Sequence, residues 1–214
     1  ENPEVRDLLL QIIAAGKLGG CADIAYTVAM DRALTVRERG LAIEALLQLN
    51  DQRIEALSIS VETDPARWPD AMTRHAVLDL VPSYMPVVRL SQILRRVKEK
   101  PRSVGDLNYR LPREIETTDL SPEYLDELRQ ALTDLIIEGI AWERDKFPHL
   151  RTVRPDLMAA LVAACRRQAA EGVRTEPWIT SSLLAIRLSN DDHNEKDALA
   201  ELRRALAELP ADAR

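Results

Sequence analysis

Residues 35–50 read Thr-Val-Arg-Glu-Arg-Gly-Leu-Ala-Ile-Glu-Ala-Leu-Leu-Gln-Leu-Asn. Thr35 followed three residues later by Glu38 is a capping box, in which each residue satisfies an amide at the start of a helix. Behind it Val36, Gly40, Ile43 and Leu47 recur at the spacing of one helical stripe, and Asn50-Asp51 ends the segment. A shorter apolar helix with Ile54, Leu57 and Val61 follows, so the stretch is expected to form a pair of antiparallel helices.

The same grammar extends in both directions. Upstream, Asn2-Pro3-Glu4 is a helix start, with a capping side chain, a proline where no amide is needed and an acid at the positive end of the dipole. Val5, Leu8, Leu9, Ile12 and Ile13 then predict one buried stripe. Gly16, Gly19 and Gly20 punctuate, and Ile24, Ala25, Val28 and Ala29 supply a second helix. Shifted by 31 residues, Val5 falls on Val36, Arg6 on Arg37, Leu9 on Gly40 and Ile12 on Ile43. Downstream, Thr73, Val77, Leu80 and Tyr84 echo the stripe after Trp68-Pro69, with Arg74 in the place of Arg6 and Arg37. A partner helix follows through Val87, Leu90, Ile93, Leu94 and Val97.

Three pairs over about 1–33, 34–64 and 65–100 therefore tile the first hundred residues. Residues 101–120, with Pro101, Gly105 and Pro112, are expected to form an elaborated loop. Residues 121–214 continue as amphipathic helices: one from Ser121-Pro122 with Leu125, Leu128, Leu132 and Leu135, then Pro155–Ala170, Pro177–Leu188 and His193–Leu209. A polar loop carrying Trp142 to Pro148 separates the first of these from the rest.

Val5-Arg6 and Val36-Arg37-Glu38-Arg39-Gly40-Leu41-Ala42-Ile43-Glu44-Ala45-Leu46 resemble the short HEAT-like repeat. The resemblance implies an all-α fold, a right-handed α-α superhelix of the HEAT/armadillo-like solenoid type, in which stacked pairs bury what none buries alone. It also implies a rigid surface that holds a partner. Degenerate arrays of this kind resemble the sensor regions attached to bacterial NACHT-type signalling NTPases, and DNA glycosylases are also built from HEAT-like repeats.

Composition sets the bounds. The 214 residues include 27 Ala and 31 Leu but only 4% aromatic residues, a helix-favouring mixture. No apolar run reaches the roughly 18 residues needed to span a bilayer. Two isolated cysteines, Cys21 and Cys165, fit a reducing compartment, and a cytoplasmic location is expected. The chain opens on Glu1 and is expected to be a segment of a larger protein.

No phosphate-cradling glycine motif and no metal-ligand spacing of His or Cys occurs, so no cofactor is expected. The acidic stretch Asn190–Glu195 reads as helix-stop chemistry, and Glu143, Asp145 and His149 read as a solvated loop. One cluster stands out. Arg89, Gln92, Arg95, Arg96, Lys98, Lys100 and Arg102 fall close together, with Arg110 and Arg113 downstream, as a candidate surface for an acidic partner or phosphate. The net charge of −6 disfavours nucleic acid at long range. The expected function is a non-catalytic protein-interaction or regulatory scaffold, whose partner is another protein or the rest of its own chain. A nucleic-acid enzyme of the glycosylase type is the alternative.

Overall fold

The Glu4 amide donates to Asn2 Oδ1 (3.0 Å) and Pro3 occupies the first helical position, so helix α1 (Pro3–Ala15) begins where its caps are written. It is the first of eleven α-helices in the computed structural model, which describes residues 2–97, 106–143, 149–189 and 196–209. The chain divides into two compact units, Glu1–Val97 and Lys98–Arg214.

The first unit holds α1, α2 (Ala22–Met30), α3 (Val36–Leu49), α4 (Arg53–Thr63), α5 (Asp70–Leu80) and α6 (Val87–Arg96). The capping box of α3 is formed: the Glu38 amide donates to Thr35 Oγ1 (3.3 Å) and the Thr35 amide donates back to Glu38 Oε2 (2.9 Å). The helix ends on Asn50 in the left-handed conformation (φ 50°), which asparagine tolerates. α3 packs on α1, α2 and α5, and α4 packs on α5 and α6. Gly40 allows the α3–α5 approach, since a Cβ there would lie 2.2 Å from Nε2 of His75.

The expected α5 stripe is cut short. The helix stops at Leu80, ahead of Pro82, because a residue before proline is driven out of the helical region. Tyr84 lies past the helix end, where its hydroxyl donates to Asn50 Oδ1 (2.9 Å).

The second unit corrects the expected loop at 101–120. Residues 106–117 form helix α7 (Asp106–Thr117) with Pro112 inside it. Leu107, Leu111 and Ile115, one turn apart, are fully buried, and α7 packs along α9. Covering that stripe outweighs the single amide that proline removes. Residues 101–105 lie outside the described residues.

α8 (Pro122–Ile137) starts at Ser121, whose Oγ accepts from the Tyr124 amide (3.1 Å). A second correction follows it. The stretch around Trp142 is the first strand of an antiparallel ribbon, β1 (Ile140–Glu143) with β2 (His149–Thr152), in register Ile140 to Thr152 and Glu143 to His149. Asp145, in the connection, lies outside the described residues.

A 3-10 turn (Pro155–Leu157) leads into α9 (Met158–Ala170), followed by α10 (Glu176–Leu188) and α11 (Lys196–Ala207). α9 packs against α7, α8, α10 and α11. Its run Ala160-Leu161-Val162-Ala163-Ala164-Cys165 is buried on every side, and the alanines let four helices approach one axis. The described structure is all-α apart from the ribbon. No helix among the described residues is long and apolar enough to cross a membrane.

Candidate interaction site

The basic candidates on α6 are held by α4. Arg89 donates from Nη1 to Ser58 Oγ (2.9 Å), Glu55 Oε1 (3.1 Å) and the Tyr84 carbonyl (3.3 Å), and from Nε to Glu62 Oε2 (3.3 Å). Arg96 donates to the Glu62 carbonyl (3.0 Å) and the Val61 carbonyl (2.9 Å). Those carbonyls belong to the last turn of α4, where no helical amide remains to pair with them. Arg96 therefore closes the end of α4, and Arg89 is held by α4 side chains and the Tyr84 carbonyl.

Gln92 and Arg95 are exposed on the other side of α6, beside the exposed Val88. Lys98, Lys100 and Arg102 lie outside the described residues. Arg110 (half-buried) and Arg113 (exposed) sit on α7, in the second unit.

The same device recurs across the protein. Arg39, almost fully buried in α3, donates from Nε to the Ala29 carbonyl at the end of α2 (2.9 Å) and from Nη1 to the Arg67 carbonyl (2.9 Å). Its guanidinium lies 4.3 Å from the centre of the Trp68 ring, and burial holds its pKa below the ordinary arginine value. In the second unit Arg167 donates to the Ile115 carbonyl (2.8 Å) and to that of Thr118, at the end of α7.

α1 presents the opposite case. Leu10 (1% exposed) and Ile13 (6%) face the core, and on the same side Arg6 pairs with Glu38 and Asp7 Oδ2 accepts from Arg37 Nε (2.7 Å). Of the five residues expected to form its buried stripe, Ile13 is buried, whereas Val5, Leu8, Leu9 and Ile12 are 51, 56, 53 and 47% exposed. This overturns the expectation for α1. The helix is apolar over more than half its circumference, and only the part carrying Leu10 and Ile13 is covered by α3. In the 31-residue alignment Leu9 falls on Gly40, yet Gly40 is buried against α5 while Leu9 is open.

α2 repeats the asymmetry. Asp23 pairs with Arg53 of α4, Tyr26 lies under the same guanidinium (5.4 Å), and Ser60 of α4 donates to Met30 Sδ (3.8 Å). Ile24, on the far side of α2 from these contacts, is 58% exposed. α1 thus buries Leu10 and Ile13 and α2 buries Ala22, Ala25 and Ala29, while the row on α1 and Ile24 on α2 stay open.

Two carboxylates on the closed side are tuned by these contacts. Amide and hydroxyl donors of Thr35, with Arg6 beside them, hold Glu38 below the usual carboxylate range. The forked contact of Arg53 with Asp51 (2.7 and 2.8 Å) holds that acid down at about 2.

A buried polar cluster in the second unit escaped sequence reading. Arg129 of α8 donates to Ser181 Oγ (2.6 Å), the Pro177 carbonyl (3.0 Å) and Asp126 Oδ1 (2.8 Å), and Thr133 donates to Ser181 (2.8 Å). Arg154 and Asp156 form a second buried pair, joined by two hydrogen bonds (2.9 and 2.7 Å). The available signal was position, because Arg129 falls between Leu125, Leu128 and Leu132 on the apolar side of its helix. The Arg129 and Thr133 contacts tie α8 to α10. Nearby Cys165 is buried and its thiol is pushed up to about 11, so it is a packing residue. Cys21 is half-buried.

A shallow cleft of about 190 Å³ between α9 and α11 is lined by Arg166, Arg174, Arg204, Glu201 and Glu208. Arg166 already pairs with Glu116 and Glu201. The described residues contain no group of three or more potential metal ligands. No protein family, no curated protein and no solved structure matches the chain.

Proposed function

We propose that the protein is a non-catalytic protein-interaction scaffold and that the outer side of α1 is the docking surface. The observation that carries this reading is the stripe of Val5, Leu8, Leu9 and Ile12, four large apolar side chains about half exposed at successive turns of one helix face. Exposed apolar residues scattered singly are ordinary, whereas a contiguous row is the composition of an interface core. The arrangement of α1, α3 and α5 along one side of the first unit, with α4 packed on α6, supports a HEAT-like stack, and the proposal includes that right-handed solenoid architecture. It also includes a regulatory role within a larger cytoplasmic protein, such as a signalling NTPase; this rests on the sequence resemblance.

The nucleic-acid reading draws less support. Arg89 and Arg96 spend their donors on α4, and a phosphate backbone would compete with carbonyls already satisfied. Panning displayed amphipathic helices on the whole chain tests the scaffold reading. Binders are expected to be lost with Leu8→Glu and kept with Arg95→Glu. A salt-sensitive DNA mobility shift abolished by Arg95→Glu would reverse the preference.

A further inference from the structure

We infer that the outer side of α1 is a self-association surface, which joins two copies of this chain through antiparallel packing of α1 on α1. The inference rests on the docking reading above and names its occupant.

The charges of α1 are the first argument. Arg6 and Asp7 lie on the inner side, paired with Glu38 and Arg37, so no charge interrupts the apolar row. Two exposed charges of opposite sign remain at its ends, Glu4 in the first turn and Lys17 just beyond the last. A parallel pairing sets like charges together. An antiparallel pairing centred between Leu8 and Leu9 sets each Glu4 about one helical turn from the Lys17 of the other copy, within reach of the lysine stem. It also sets the two helix dipoles antiparallel, the favourable arrangement for helices side by side.

Register is the second argument. About the same centre, Val5 of one copy meets Ile12 of the other, and Leu8 meets Leu9. The row is therefore complementary to itself under a two-fold axis, as an isologous interface requires. Two such faces brought together remove roughly 1,000 Å² from water, the lower bound for a specific interface. A surface at that lower bound fits a weak, reversible dimer.

Sedimentation velocity of the whole chain from about 1 to about 200 µM is the test. The expected result is a concentration-dependent rise from the 24.1 kDa monomer toward twice that mass. Leu9→Glu is expected to abolish the rise with the helical circular dichroism unchanged. Glu4→Lys is expected to weaken association several-fold, and Glu4→Lys combined with Lys17→Glu to restore it. That rescue is specific to the antiparallel arrangement.

A dimer that survives Leu9→Glu overturns the inference, because another surface then makes the contact. A monomer at the highest concentration also overturns it. If such a monomer still binds panned helices and loses them on Leu9→Glu, the docking reading stands and the occupant is a different helical protein. If Leu9→Glu changes neither, both readings fail.

Discussion

Helices α1 and α6, the first and last of the first unit, exchange the roles their sequences advertise. α1 carries a row of apolar residues that periodicity assigns to the core, and most of that row faces water. α6 carries a run of arginines that charge assigns to the surface, yet Arg96 is tied into the end of α4 and Arg89 into its side chains. In each case the neighbour decides. α1 has a packed helix on one side only, so half of a wide apolar surface is covered. α6 lies against a helix terminus with carbonyls to satisfy, and a guanidinium suits them better than water does.

The largest expected effect that sharpens this contrast comes from two adjacent leucines. Leu10→Ala is expected to destabilise the first unit by about 2–5 kcal/mol, whereas Leu9→Ala should stay within about 0.5 kcal/mol. Urea unfolding in dilute solution measures both, and equal losses would erase the two-sidedness of α1.

Next come the arginines. Arg96→Ala strips two carbonyls of their donor and is expected to cost about 1–3 kcal/mol, while Gln92→Ala on the outer side of the same helix should be near neutral. If Arg96→Ala were as mild as Gln92→Ala, the closure of α4 by α6 would carry no weight.

The smallest effect is electrostatic. Asp51, held at about 2, and Glu38, also depressed, favour the folded state at neutral pH. Their contribution is complete above the ordinary carboxylate range near 4 and is lost as pH falls toward 2. Asp51→Asn should flatten the fall in stability across that window, followed as urea midpoints at successive pH values.

Much of the helical framework was legible because caps and periodicity are local. The capping box of Thr35 and Glu38, the Asn2 and Ser121 caps and the Asn50 stop appear where the sequence writes them. Leu107, Leu111 and Ile115 were equally legible, but Gly105 and Pro112 drew the reading toward a loop. The candidate surfaces were less readable. Nothing within α1 says which part of its apolar circumference a neighbour will cover, since that depends on the placement of α3. Likewise, the acceptors that claim Arg89 and Arg96 include backbone oxygens, which every residue carries and no side-chain pattern reveals. Arg129 shows the converse, a buried arginine that sequence reading passed over although it sits on the apolar stripe of α8.

The exposure of α1 can be read directly by thiol labelling at about 1 µM, the dilute end of the association series, where a weak dimer is dissociated. Leu9→Cys and Leu10→Cys are each placed in a Cys21→Ser background, with Cys165 protected by burial. The account predicts that Leu9→Cys reacts with maleimide nearly as fast as an unfolded thiol, while Leu10→Cys reacts only after denaturation. A protected Leu9→Cys in the folded monomer would contradict it.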